Sequence, residues 1–408
     1  FGWNHGGFNE REQAEALARM TRNIADAGCA GGMVFEWQDE WFKTNWLTVP
    51  FEVPLDRRAL WLNALDPEEN FGIWTYETSQ RGLFSSSSSA WAAVKPLYEK
   101  PAGRPAVALN DGADAQRTLR SLSVSSDEAF LYLRLSVQSL LRAPNGAPQL
   151  DSANYLIGIS TKPGSFGGRI VPGLVPHVRF PQGFNFLLHV GEPGKTRLLV
   201  SSNYNPYALL PVEGVRDRVH LTTRSPWKPE LEDWSPFEEI TVETNRLRFS
   251  RDGAVFPPRR YSRGLLRFGP ADENSPQYDS LATWSADFSS NSLAFRLPWA
   301  LLFVTDPSSL QVYAGAAAGG GILSAETPGF EFFAASFRPP PSPPDWTRFP
   351  SAALATTDTL PALDTRGVFA GIRTYAWNQW DTVKLSGRLK AGVRALEKSF
   401  RDLKGRGL

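Results

Sequence analysis

The chain has 408 residues and a formal net charge of +1, from 43 lysines and arginines against 42 acids. That length holds two or three domains, and so even a balance offers no electrostatic case for nucleic acid or an anionic membrane surface. The single cysteine, Cys29, excludes an intrachain disulfide, and no apolar run reaches the ~18 residues of a membrane span.

The chain opens on Phe1 rather than Met and reads as the C-terminal piece of a longer protein. Asn9 to Ala27 is expected to be a helix. Asn9 is its N-cap, Glu12 completes a capping box, and Gly28 stands where a C-cap glycine belongs. Leu17, Met20 and Ile24 share a face. Met33 to Phe35 reads as a buried strand, with Cys29 as a small core residue at its start. Beyond it come Glu36, Trp37, Gln38, Asp39, Glu40 and Trp41, a surface of carboxylate and indole. A helix followed by a buried strand is one step of a parallel α/β fold. The three acids suit either the lining of a site or an ion-pair cluster with Lys43, Arg57 and Arg58.

Further on, 56–65 reads as a short helix and 71–77 as a strand. A serine run at 85–89 leads into a helix carrying Trp91, Val94, Leu97 and Tyr98, in which Pro96 either limits the helix or marks a first turn. A linker at 100–105 marks the domain boundary, with one domain over 1–100 and a second over 106–408. From Ala106 the pattern turns to short strands separated by Gly, Pro, Asn and Asp. They fall at 119–124, 129–137, 154–160, 184–190, 196–201, 240–243, 246–250, 292–296, 310–316 and 367–375. Many short strands without interleaved helices argue a β-sandwich. Residues 162–181 read as a loop, and 338–350 as an extended polyproline-like connection. A basic amphipathic helix over 386–403 is expected to dock through Leu389, Val393, Leu396 and Phe400. The fold class is thus an α/β remnant plus an all-β sandwich with a C-terminal helix.

His177, His189 and His220 are scattered away from metal-ligand spacings and read as structural. Asp111 and Asp114 form a turn more readily than a calcium site. Trp227, Trp234 and Trp284 lie in loop-like stretches where a sugar platform would sit. Neither a nucleophile elbow nor a phosphate loop is present.

Two resemblances sharpen these expectations. The run Ala30-Gly31-Gly32-Met33-Val34-Phe35-Glu36-Trp37-Gln38-Asp39-Glu40-Trp41 resembles the eighth strand of clan A glycoside hydrolases, family 2 β-glycosidases among them. The opening from Gly2 to Phe8 and the helix from Glu10 resemble the loop and helix after strand seven. The resemblance implies the end of a TIM barrel whose catalytic glutamates, at strands four and seven, lie upstream of Phe1, so no residue here is catalytic. It implies oligo- or polysaccharide binding by Glu36, Trp37, Asp39, Glu40 and Trp41, with Asn4 and His5 on the adjacent loop. The second stretch runs from Asn110-Asp111-Gly112-Ala113-Asp114 to Asp127 and Leu131-Tyr132. With Asn291–Trp299, it is similar to the DOMON and family 9 carbohydrate-binding sandwiches, although Ala294 stands where an acid is usual. Haem of the DOMON type is not expected, because Met20 and Met33, the only two methionines, lie outside the sandwich. The sequence therefore predicts a carbohydrate-active protein, a glycoside hydrolase in its full length. The alternative is a non-catalytic glycan-binding or assembly protein. No cofactor or metal is expected, and an extracytoplasmic or cell-surface setting is favoured.

Overall fold

The computed structural model describes residues 8–40, 67–77, 84, 91–101, 114–175, 177–205, 231–243, 248–257, 260–270, 275–316, 322–341, 344–347, 354–383 and 386–405. Asn4, His5, Trp41, Lys43, Arg57, Arg58, Asp111, His220 and Trp227 lie outside them. So do the expected helix at 56–65 and the serine run at 85–89.

The chain is mostly β-sheet with few helices, and its sheets are not closed. Strands are numbered here in chain order. One sheet contains β2 (Pro96–Glu99), β3 (Leu119–Ser126), β4 (Phe130–Val137), β17 (Trp284–Asp287) and β18 (Ser292–Pro298), in the order β17-β18-β4-β3-β2. The facing sheet contains β5 (Asn154–Ser160), β7 (Leu174–Val175), β9 (Phe186–Val190), β10 (Arg197–Ser201), β12 (Phe237–Glu239), β22 (Phe330–Phe337) and β23 (Leu354–Leu360). Its order is β12-β10-β9-β5-β22-β23-β7, and β24 (Thr374–Tyr375) also pairs with β22.

Alternation explains how the two sheets meet. In β4, Leu131, Leu133, Leu135 and Val137 enter the inter-sheet core, and β18 sets Leu297, Phe295 and Leu293 opposite the three leucines. Tyr155, Ile157 and Ile159 of β5 and Phe330, Phe332 and Ala334 of β22 fill the core from the other side. Their alternate neighbours, Leu156, Phe333, Ala335 and Phe337, face a second core. That core is roofed by Val171, Leu174, Val178, Phe180 and Phe184, by Trp346 and by Phe369. β22 is therefore buried along its whole length.

Several expectations are corrected. The 162–181 stretch is no plain loop. β6 (Gly167–Ile170) and β8 (Arg179–Phe184) lie in it, joined by β11 (Leu231–Glu232) in the order β11-β6-β8. Phe180 and Phe184 anchor them on Phe333, with ring centroids 5.3 and 4.9 Å away. The helix expected around Trp91 stops short, and Pro96 begins edge strand β2, where its missing N–H costs nothing. Of 367–375 only β24 is a strand. Trp284 is fully buried and stacks on Phe295, at 6.1 Å and 13°. Trp346, in the proline-rich connection, packs against His189 at 5.2 Å.

His189 is buried as expected for a structural histidine, with Nε2 3.0 Å from Asn154 Oδ1. Burial, reinforced by the charge of Arg197, pulls its pKa down to about 4. An unfolded chain takes up this proton near pH 6.5, and the folded one only near 4. Stability is therefore full above pH 6.5 and falls as the pH drops toward 4, by about 3 kcal/mol in total. Urea unfolding at stepped pH should show this slope, and His189→Gln should flatten it.

The two ends of the chain share a separate layer. Helix α1 (Glu10–Asp26) begins with the expected capping box: Glu12 N–H donates to Asn9 Oδ1, and Asn9 N–H to Glu12 Oε2. It ends with Gly28 N–H on the Ala25 carbonyl and Cys29 N–H on that of Ile24, a Schellman pattern. Strand β1 (Trp74–Glu77) pairs antiparallel with β25 (Ser386–Leu389), and helix α2 (Ala391–Lys404) follows. The expected helical start at Ser386 is thus a strand. Helix α2 lies against α1: Gly392 sits beside Leu17 and Ile73. Its buried side carries Gly392, Leu396 and Ser399, so the expected contact through Phe400 is not made, and that ring is exposed.

Candidate functional site

The expected buried strand Met33–Phe35 is not present. Met33 is 100% exposed, Val34 and Phe35 are also exposed, and so is Cys29. A short apolar run has the same composition in a core strand and in a surface segment. Regular pairing starts only at Gln38, which bridges Trp74. Ile73 N–H donates to the Trp37 carbonyl at 3.1 Å, Trp74 N–H to the same carbonyl at 2.8 Å, and Asp39 N–H to that of Trp74 at 2.9 Å. The acidic run is thereby laid along β1.

This pairing sorts the predicted site residues. Asp39 is completely buried, and its Oδ1 accepts from Lys390 Nζ at 2.7 Å. Burial pushes its carboxyl up, against the pull of Lys390. Lys390 also donates to the Asn70 carbonyl at 3.0 Å, and its backbone N–H to that of Ile73 at 2.8 Å. Asp39 therefore fastens α2 through Lys390, while the expected partners Lys43, Arg57 and Arg58 lie outside the described residues.

Trp37 is 62% exposed and stacks beside Trp74, with centroids 6.5 Å apart and planes at 20°. The Trp74 ring lies across Gly387 of the paired strand, where a side chain would collide with the indole. Tyr76 donates its hydroxyl to Gln38 Oε1 at 3.1 Å. Glu36 and Glu40 of the same run are half-buried. Trp74 and Tyr76 were not among the residues expected here. Their alternation along a strand was the available signal, but nothing local connects them to Trp37.

Arg388 ties the layer together and to the sandwich. It pairs with Glu10 and Glu77, and one of its nitrogens reaches the Tyr278 hydroxyl at 3.4 Å. Glu10 N–H donates to Ser280 Oγ at 3.0 Å. Burial would lower the Arg388 guanidinium, but hydrogen bonding and charge from Glu10 outweigh it and raise its pKa.

The sandwich faces are closed where they are described. On the outer side of the five-stranded sheet, the Arg296 guanidinium lies 4.7 Å from the Phe84 ring centroid and 5.1 Å from that of Phe130. Arg134 reaches Asp287 at 3.0 Å and lies 5.7 Å from the Trp91 ring. Ala294 belongs to the same cluster as Phe84 and Trp91. An acid at this buried position would have to be desolvated. Asp127, part of the sandwich-like motif, is a turn anchor. Its Oδ1 accepts from the N–H groups of Ala129 and Phe130 and its Oδ2 from the Tyr132 hydroxyl, all at 2.8 Å. The opposite sheet is covered by the second core. Among the described residues no group of three or more His, Cys, Asp or Glu side chains could hold a metal ion, and no helix is long and apolar enough to cross a membrane.

The chain is a mostly β-sheet protein with a further layer of two helices and the antiparallel pair β1–β25, in which the expected parallel α/β step of a barrel is not seen among the described residues. Compared with known proteins, the chain matches no protein-family model and no curated sequence.

Proposed function

We propose that this chain belongs to a carbohydrate-active protein, with the Trp37 edge as its glycan contact and the sandwich as its scaffold. One observation carries the reading: an exposed indole stacked beside a second indole, with Glu36 and Glu40 partly exposed within three positions of it in the sequence. Indole faces stack on the C–H faces of sugars, and carboxylates accept hydrogen bonds from sugar hydroxyls. The closed faces of the sandwich favour a scaffold over a second binding platform. Hydrolysis by a carboxylate pair, which the barrel resemblance implies, is assigned to no residue of this chain. A non-catalytic glycan-binding protein is the second reading, favoured by Asp39 being taken up in a buried ion pair.

Tryptophan emission titrated with a panel of oligosaccharides tests the contact. At least one glycan should shift the emission, and Trp37→Ala should weaken its binding about tenfold or more. Identical binding by wild type and variant, or no response to any glycan, would remove the proposal. Release of reducing ends would favour the hydrolase over the binding protein.

A further inference from the structure

Between Ile240 and Gly264 the chain leaves the sandwich and returns as two antiparallel ladders in series. The stem is held by the core: Ile240 is buried, and Arg263 N–H donates to its carbonyl at 2.7 Å. The first ladder joins β13 (Thr241–Glu243) to β16 (Arg260–Ser262). The second joins β14 (Arg248–Phe249) to β15 (Val255–Phe256), with Phe249 opposite Val255. A tight turn closes the tip. Ser250 N–H donates to the Ala254 carbonyl at 3.0 Å, and Ala254 N–H to Ser250 Oγ at 3.0 Å.

The tip is unusual in two ways. Every residue from Arg251 to Pro257 is exposed. Three large apolar side chains stand in water there: Phe249 at 68% exposure, Val255 at 57% and Phe256 at 53%. The sequence from Arg246 to Arg260 also carries five arginines and one carboxylate, Asp252, in a chain of net charge +1. Net charge averages this asymmetry away.

We propose that this hairpin is a membrane-surface anchor that docks on an anionic lipid bilayer. Phe249, Val255 and Phe256 enter the headgroup region while the exposed Arg251 beside them meets lipid phosphates. The two features together select the partner. A water-soluble polyanion satisfies the arginines but leaves the apolar side chains in water, whereas an apolar protein groove leaves the arginines unmatched. An anionic bilayer interface satisfies both. Such an anchor lies on the membrane and needs no spanning helix.

Co-sedimentation of the full chain with vesicles tests this, using phosphatidylcholine alone and phosphatidylcholine mixed with phosphatidylglycerol. The chain should partition roughly tenfold more strongly to the mixed vesicles, and added salt should weaken the binding. Phe249→Ser/Phe256→Ser should abolish the binding while leaving the melting temperature unchanged, because both rings are exposed. Arg251→Glu should weaken binding to the mixed vesicles only. Absence of binding to the mixed vesicles overturns the proposal, as does undiminished binding by the double variant. Retention on a heparin column that the double variant keeps, without vesicle binding, would assign the hairpin to a polyanion instead.

Discussion

Lys390→Met should destabilise the terminal layer by about 3–5 kcal/mol, because it leaves the Asp39 carboxylate buried without its counter-charge. The ammonium makes two bonds, to Asp39 at 2.7 Å and to the Asn70 carbonyl at 3.0 Å, and both side chains are almost wholly excluded from water. Methionine fills a similar volume, so the loss reports charge rather than a cavity. Adding Asp39→Leu should restore most of the stability, since a buried pair replaced by packed apolar groups is often neutral. Urea unfolding measures the size of the effect, and hydrogen exchange its location. Protection should fall in α1 and α2 while β4, β5 and β22 stay protected. A loss below about 1 kcal/mol would place the pair in the surface class.

Phe333→Ala should cost about 3–5 kcal/mol, the range for emptying a well-packed aromatic site. The ring stacks on Phe369 at 4.7 Å and meets Phe180 and Phe184. It also lies over Gly158 of the neighbouring strand, where an added Cβ would fall 1.9 Å from Phe333 Cε1. Gly158→Ala should therefore destabilise by about 1–3 kcal/mol through overpacking. The two changes should not add, because the new methyl group occupies space that the lost ring vacates. A double-mutant cycle by chemical denaturation measures that coupling. Strict additivity would show that ring and glycine do not share a site.

β4 and β5 were legible in the sequence although each is buried on both faces: in β4 Leu131, Leu133 and Leu135 alternate with Tyr132 and Arg134, and β5 is rich in β-formers between turn residues. The capping box of α1 was equally plain, because its two bonds join residues three apart. β22 was missed because it offers no polar alternation. Phe330–Phe337 is buried on both faces between two cores, so its sequence does not alternate and its alanines mimic other structure. The run Met33–Phe35 misled because it is apolar without being buried. At the candidate site Trp37 was readable and its setting was not. Trp74 stacks beside it from a separate strand, and Lys390 reaches Asp39 from 351 positions away. No local pattern carries contacts of that kind.

The pairing of β1 with β25 has a consequence for how the molecule is made. Arg388 joins a glutamate in the first helix, Glu10, that precedes it by 378 positions. Synthesis proceeds at ~5–20 residues per second, so on the order of tens of seconds separates the two partners. During that interval the sandwich strands emerge and can close their cores, while Glu10, Asp39 and Glu77 remain solvated without their cations. A layer that α1 begins is thus completed only after the sandwich strands that follow it. Its assembly is gated by the arrival of Ser386–Lys404, which makes β25 and α2 the clasp of this layer.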